Sequence, residues 1–386
     1  MQIAGMTEPK LNKKTLFFVL AASLCGGGVC NAGLFPTNAF SDDARGTTSA
    51  SFLKSPASAR LAALGAGGGA LRAPDAFFCN PAGVTYLPRG SSAILLGYES
   101  LLEGSGRTAF SGLKGLKSGV LGIGALYRYE TGLKKYDDIG AAAGGFEAYD
   151  AAIIGSYGMR FGWGGAGLAL KYIRSKLYDR SAGTAALDLG VLIKDRRNSD
   201  ADFALFARNF GLPLKLGSAS APLPFELGGA LSMRYTRQFS LFIDGRAPVD
   251  HSPYLILSGE YGFPFADDVK APAAKPSYGK VRPSPAGAAK GKMVRAEPSE
   301  AARNDSVVRS GLFLRAGLNF KNYDDLGVMG AVSAGFGVKL GAVGLDYAFV
   351  PYGDLGVTHR FTLVWSFGPA PKAVPPIIPK NATPGL

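Results

Sequence analysis

Few titratable side chains in this sequence are grouped as a catalytic centre would need. Its 386 residues hold only two histidines, His251 and His359. Both sit in loops or at strand ends. His359, between Thr358 and Arg360, reads as part of a closing hairpin rather than as a base. The acidic pairs Asp137-Asp138, Asp267-Asp268 and Asp324-Asp325 carry the oxygens a Ca²⁺ site uses, but acidic pairs in loops are ordinarily solvated. Gly65-x-Gly67-x-x-Ala70 matches a dinucleotide fingerprint in form. It lacks the strand–turn–helix unit and the later acidic residue that give the motif its mechanism, so these glycines read as points of close backbone approach. No enzyme activity, catalytic residue, metal or cofactor is expected.

The other charges follow a rule of position. Along Phe225 to Tyr235, Phe225, Leu227, Leu231, Met233 and Tyr235 alternate with Glu226, Gly228, Ala230, Ser232 and Arg234. Successive side chains of a strand point to opposite faces, so such a strand has one greasy face and one wet face. The pattern returns at Leu121–Glu130, Leu187–Lys194 and Arg360–Phe367. A soluble sandwich or propeller also alternates, whereas repeated amphipathic strands of about ten residues suit a transmembrane barrel. Strands are expected near 92–102, 106–113, 119–130, 147–160, 164–177, 182–194, 201–209, 225–236, 238–246, 254–263, 310–320, 328–339, 342–349 and 358–367. An even number, about 14, closes an antiparallel barrel and leaves no free edge. A charge facing lipid costs about 2–4 kcal/mol at the midplane. Glu99, Arg128, Glu130, Lys171, Asp188, Arg208, Glu226, Arg234, Asp244, Arg315, Asp346 and Arg360 are therefore expected to face the lumen.

Outside the N-terminus no run of about 18 apolar residues could form a membrane helix. A barrel hides its apolar character in alternation, which suits a mean hydropathy of only +0.12. The N-terminus reads as a cleaved signal peptide over 1–32: Lys10, Lys13 and Lys14 precede a short apolar run from Leu16 to Cys25, with small residues before Gly33. Cleavage there leaves Cys79 as the sole cysteine and excludes an internal disulfide. The remaining expected parts are a linker and hatch or plug segment at 33–90, the barrel at 91–367 and a Pro-rich tail at 368–386. Within the barrel, the 265–309 stretch is Pro/Ala/Lys-rich and expected to be a disordered insertion. Residues 270–309 carry nine basic and three acidic side chains, a large part of the net charge of +13. An exported chain meets lipid headgroups rather than nucleic acid. Export plus amphipathic strands points to the outer membrane of a two-membrane bacterium.

Ala59-Arg60, Leu64-Gly65-Ala66-Gly67-Gly68 and Asn80-Pro81-Ala82-Gly83 resemble the N-terminal segment of the PorV/PorQ family, relatives of FadL-like outer-membrane transporters. Pro351, Gly353, Asp354 and His359, in a stretch beginning Asp346-Tyr347-Ala348-Phe349, are similar to that family's closing hairpin. Cys79 stands where the family usually has an aromatic, and the basic insertion is not part of its pattern. The resemblance implies an all-β, FadL-like barrel with a gating hatch at Gly65, Gly67, Gly68, Asn80, Pro81 and Ala82. It implies a monomer in outer-membrane lipid that passes a hydrophobic small molecule, or alternatively a shuttle or scaffold for secreted-protein partners in type IX export. An outer-membrane hydrolase is a third, weaker alternative.

Overall fold

A computed structural model describes residues 33–101, 104–194, 200–265, 310–351 and 356–368. The expected signal peptide, nearly all of the basic insertion and the Pro-rich tail lie outside these residues. Fourteen strands form the wall: β1 (Ser92–Ser100), β2 (Gly106–Gly115), β3 (Gly119–Tyr136), β4 (Ala142–Phe161), β5 (Gly164–Leu177), β6 (Arg180–Lys194), β7 (Ala201–Gly211), β10 (Glu226–Arg234), β11 (Phe239–Pro248), β12 (Tyr254–Pro264), β13 (Gly311–Asn319), β14 (Val332–Leu340), β15 (Val343–Pro351) and β16 (Val357–Phe367). The short β8 (Leu214–Leu216) and β9 (Ala219–Ala221) form a separate hairpin between β7 and β10. Every neighbouring pair in the wall is antiparallel, and β1 closes on β16 from Ser92↔Phe367 to Ser100↔His359. Closure pairs the edges of the first and last strands, which a bilayer would otherwise leave unsatisfied.

Three spans differ from the alternation-based expectation. β3 and β4 continue to Tyr136 and from Ala142, so most of 131–146 is paired strand rather than loop. The two strands satisfy each other's backbone there although β2 stops at Gly106↔Tyr129. The 210–224 connection contains β8–β9. A helix occupies Tyr323–Ala331, delaying β14 to Val332; its apolar residues alternate too briefly to distinguish strand from helix.

The two faces separate as the period of two demands. Leu96, Tyr98, Leu121, Ile123, Ile153, Leu170, Leu189, Leu255, Leu345, Leu363 and Trp365 are exposed, while Leu95, Ile154, Ile173 and Ile256 are buried. An apolar belt running over strands all round a closed barrel is a lipid-facing surface. Aromatic pairs stand at the ends of strands, among them Phe161 stacked on Trp163 and Trp365 beside Phe367. Such rings suit the membrane–water boundary.

The residues packed against the inner wall precede the first strand. Ser58 caps the one-turn helix α1 (Ala59–Ala63) by accepting from the Leu61 amide. Gly65, at φ +66°, ends it in the left-handed conformation that glycine adopts without strain. From there the chain sweeps round the inner wall. A side chain at Gly317 would collide with the Gly65 amide nitrogen, one at Gly124 with the Phe77 ring, and one at Gly190 with the Asn80 Oδ1. Inward glycines thus make room for the segment. Gly317→Ala is expected to cost about 1–3 kcal/mol, read as a lower temperature for loss of the compact band on gel electrophoresis. Gly155→Ala, where an added Cβ meets nothing within 4 Å, should leave that temperature unchanged.

Candidate functional site

Three polar clusters join the inner wall to the N-terminal segment, and a fourth ties strands of the wall to one another. In the first, Arg60 grips Glu260 with two bonds of 2.9 and 2.8 Å. Arg315 donates to Glu260 at 2.6 Å and to Asp346 at 2.6 Å. Asp75, also buried, accepts from Ser58 and lies 3.9 Å from Arg60. In the second, the Asp244 carboxylate accepts the Gly68 and Gly69 amides at 3.0 and 2.8 Å. Arg246 bridges Asp244, Glu226 and the Ala66 carbonyl, with its guanidinium 4.6 Å from the Phe206 ring centre. Arg208 also donates to Glu226, at 2.6 Å.

The third cluster places Glu99 between Arg107, at 2.7 Å, and Arg360, at 2.6 Å. Both guanidiniums also hold the segment: Arg107 donates to the Phe52, Ser55 and Pro56 carbonyls, and Arg360 to the Pro56 carbonyl. In the fourth, Lys171 donates to Asn209 and pairs with Asp188 at 2.6 Å. Asn209 has φ +58° at a β-bulge where β6 and β7 shift register, and its amide donates back to Asp188. Each buried charge has an opposite partner, as a low-dielectric interior requires.

The structure places Glu99, Lys171, Asp188, Glu226, Asp244, Arg315, Asp346 and Arg360 in the buried interior, with Arg208 close to buried. Arg128 and Glu130 pair with each other at about one-third exposure, and Arg128 is 3.8 Å from Asp150. Arg234 stands apart from the clusters at the end of β10, its amide bonded to the Asp200 carbonyl. The turn that holds Gly65, Gly67 and Gly68 is tied to Asn80, Pro81 and Ala82 through Asn80 at Gly69, and the Cys79 thiol donates to the Gly68 carbonyl at 3.4 Å. Asn80, fully buried, donates to the Gly69 carbonyl at 2.7 Å and accepts from the Ala82 amide at 3.0 Å. Of the closing hairpin, Pro351 ends β15 and His359 lies on β16, 2.8 Å from the Tyr347 hydroxyl; Gly353 and Asp354 are outside the described residues. Alternation missed Arg107, although its inward phase with Ala109 and Ser111 was readable. It could not have found the carbonyls that Arg107 holds.

Residues 33–55 lie against the loops at one end of the barrel. Phe40 and Ser49 donate to the Val249 and Pro222 carbonyls at 2.8 Å each. Asp250 accepts from Thr48 at 2.6 Å and Lys54 at 2.8 Å. Burial works to raise the Asp250 pKa, but these donors outweigh it and hold the carboxyl below its ordinary value. At the same end a recess of about 440 Å³ is lined by Ser51, Phe52, Ser55, Glu99, Leu101, Ser105, Arg107, Arg128 and Thr358. The Thr358 hydroxyl is buried there without a hydrogen-bond partner. Deeper in, Cys79 is a buried thiol packed among Leu61, Leu64, Leu71, Ala76 and Phe242.

No family model matches the sequence, and no curated protein matches it. Among solved structures it is similar to a Ralstonia pickettii toluene transporter, TbuX, at 11% identity and a TM-score of 0.46, covering 80% of this chain and 97% of that one. It is similar to a Pseudomonas aeruginosa FadL homologue at 8% identity and a TM-score of 0.47, covering 81% and 98%. CdiB from Acinetobacter baumannii follows at 10% and 0.37, covering 73% and 60%. The fourteen-strand closure rests on this chain's own register rather than on those likenesses.

Breaking a buried ion pair by neutralising one partner costs about 3–5 kcal/mol. Glu260→Gln should therefore lower the unfolding midpoint in detergent by that order, while Lys135→Ala on the exposed ribbon leaves it unmoved. Acid should act at Asp250. A depressed folded pKa gives stabilisation that is complete above the ordinary carboxylate value of about 3.9. It is lost as pH falls from there through the depressed value. Limited acid proteolysis should then cut within 33–55 more readily as pH falls through this window, and Asp250→Asn should cut readily at every pH.

Proposed function

We propose that this chain is an outer-membrane barrel of the FadL-like, PorV/PorQ kind that passes a small molecule with an apolar body. The recess over the N-terminal segment carries the reading. Its volume falls in the range of roughly 300–1,000 Å³ usual for small-molecule sites. Phe52 and Leu101 offer apolar contact, and the unpartnered Thr358 hydroxyl offers one hydrogen bond. The floor is the Phe52–Pro56 strap held by Arg107 and Arg360. Beyond it lies the Gly65–Gly69 turn tied to Asn80. A path through the barrel requires these ties to shift, so they serve as the gate and the segment as the plug.

The second reading, a shuttle or scaffold in protein export, is favoured by one observation. The N-terminal segment touches inward residues of β1–β7 and β10–β16, so it occupies the lumen in this state. Proteoliposome uptake of toluene and a long-chain fatty acid separates the readings. Asn80→Ala should change uptake and Ser105→Trp, which fills the recess, should reduce it, both with normal barrel assembly. Uptake equal to protein-free liposomes in the parent chain, with secreted proteins co-purifying, would replace transport by the export role.

A further inference from the structure

The path of residues 33–91 runs the length of the barrel. At its start, Gly33 lies against Pro213, and Phe35 packs on Phe225 with ring centres 5.4 Å apart. Both partners belong to the β7–β10 connection. At its finish, Arg160 donates to the Thr85 and Leu87 carbonyls, and Gly90 donates to the Gly115 carbonyl at the opposite rim. That rim carries the start of β1, the end of β16 and the tight turns after β4 and β14, and, as an exception among them, the long connection from Pro264 to Gly311 between β12 and β13. The mouth near Gly33 carries the β3–β4 ribbon, the β8–β9 hairpin and the 320–331 connection. Tight turns belong on the periplasmic side of such barrels and the larger connections outside.

We infer that Gly33 lies at the outer mouth of the barrel, and that the segment threads the lumen from outside to inside. One consequence follows from the geometry. A gate in this barrel works by local rearrangement, since release of the whole segment toward the periplasm would drag the Asp250, Val249 and Pro222 contacts back through the lumen. The inference does not depend on what the barrel carries.

Single cysteines test it with a membrane-impermeant maleimide on intact cells of a two-membrane bacterial host. Thr37→Cys reports the segment, Asp138→Cys the ribbon and Lys117→Cys the β2–β3 turn; all three positions are exposed. The parent chain, whose Cys79 is buried, sets the background. Thr37→Cys and Asp138→Cys should label on intact cells, and Lys117→Cys should lose its label unless the membrane is permeabilised. Thr37→Cys labelling in step with Lys117→Cys would overturn the threading. Labelling of Lys117→Cys alone on intact cells would overturn the outward assignment. Heat-shifted electrophoretic mobility confirms that each variant is a folded barrel, so a loss of label reads as topology and not as misfolding.

Discussion

Glu260 between Arg60 and Arg315 shows the constraint on which this molecule depends. A strand with one face in lipid must turn every charge to the other face. In a closed barrel that face surrounds a narrow, poorly hydrated space. Charges there are tolerable only with partners of opposite sign and with their hydrogen bonds filled. In three of the four clusters the wall supplies part of the set and the segment before β1 supplies the rest: Arg60, the Gly68 and Gly69 amides, and the Phe52, Ser55 and Pro56 carbonyls. Wall and filling are therefore one energetic unit.

The same economy shapes the backbone. The filling needs space, and inward glycines at 122, 124, 167, 190 and 317 supply it at the contact points. Several of the side chains kept on the inner face bond the segment, as with Asp244, Arg246 and Thr362. Glycine on the inner face and large apolar residues on the outer face give the wall opposite requirements at successive positions.

Much of the barrel was legible in the alternation. Nearly every strand lies within a few residues of its expected span, because a bilayer-facing strand has no freedom to change phase. Legibility failed where the bilayer no longer imposes the pattern. The β3–β4 ribbon continues on its own pairing, β8–β9 is too short to alternate, and the Tyr323–Ala331 helix follows local preference. Of the charged residues, Glu99, Asp188 and Asp244 sit deep in clusters, whereas Arg234 lies at a strand end beyond them. Position along the strand, and not phase alone, separates these cases.

By itself the amino-acid order determined that strands would form, which residues would share a face, and that a small-residue segment would precede them. Those properties depend on side-chain period and conformational freedom, which are local. Only the tertiary structure decided which charges meet, that Arg107 and Arg360 share Glu99, and that the chain begins its descent beside Pro213 and ends it beside Gly115. Pairing between separate strands, and between strand and segment, depends on barrel register and on the path of the segment, and neither is encoded in any single strand.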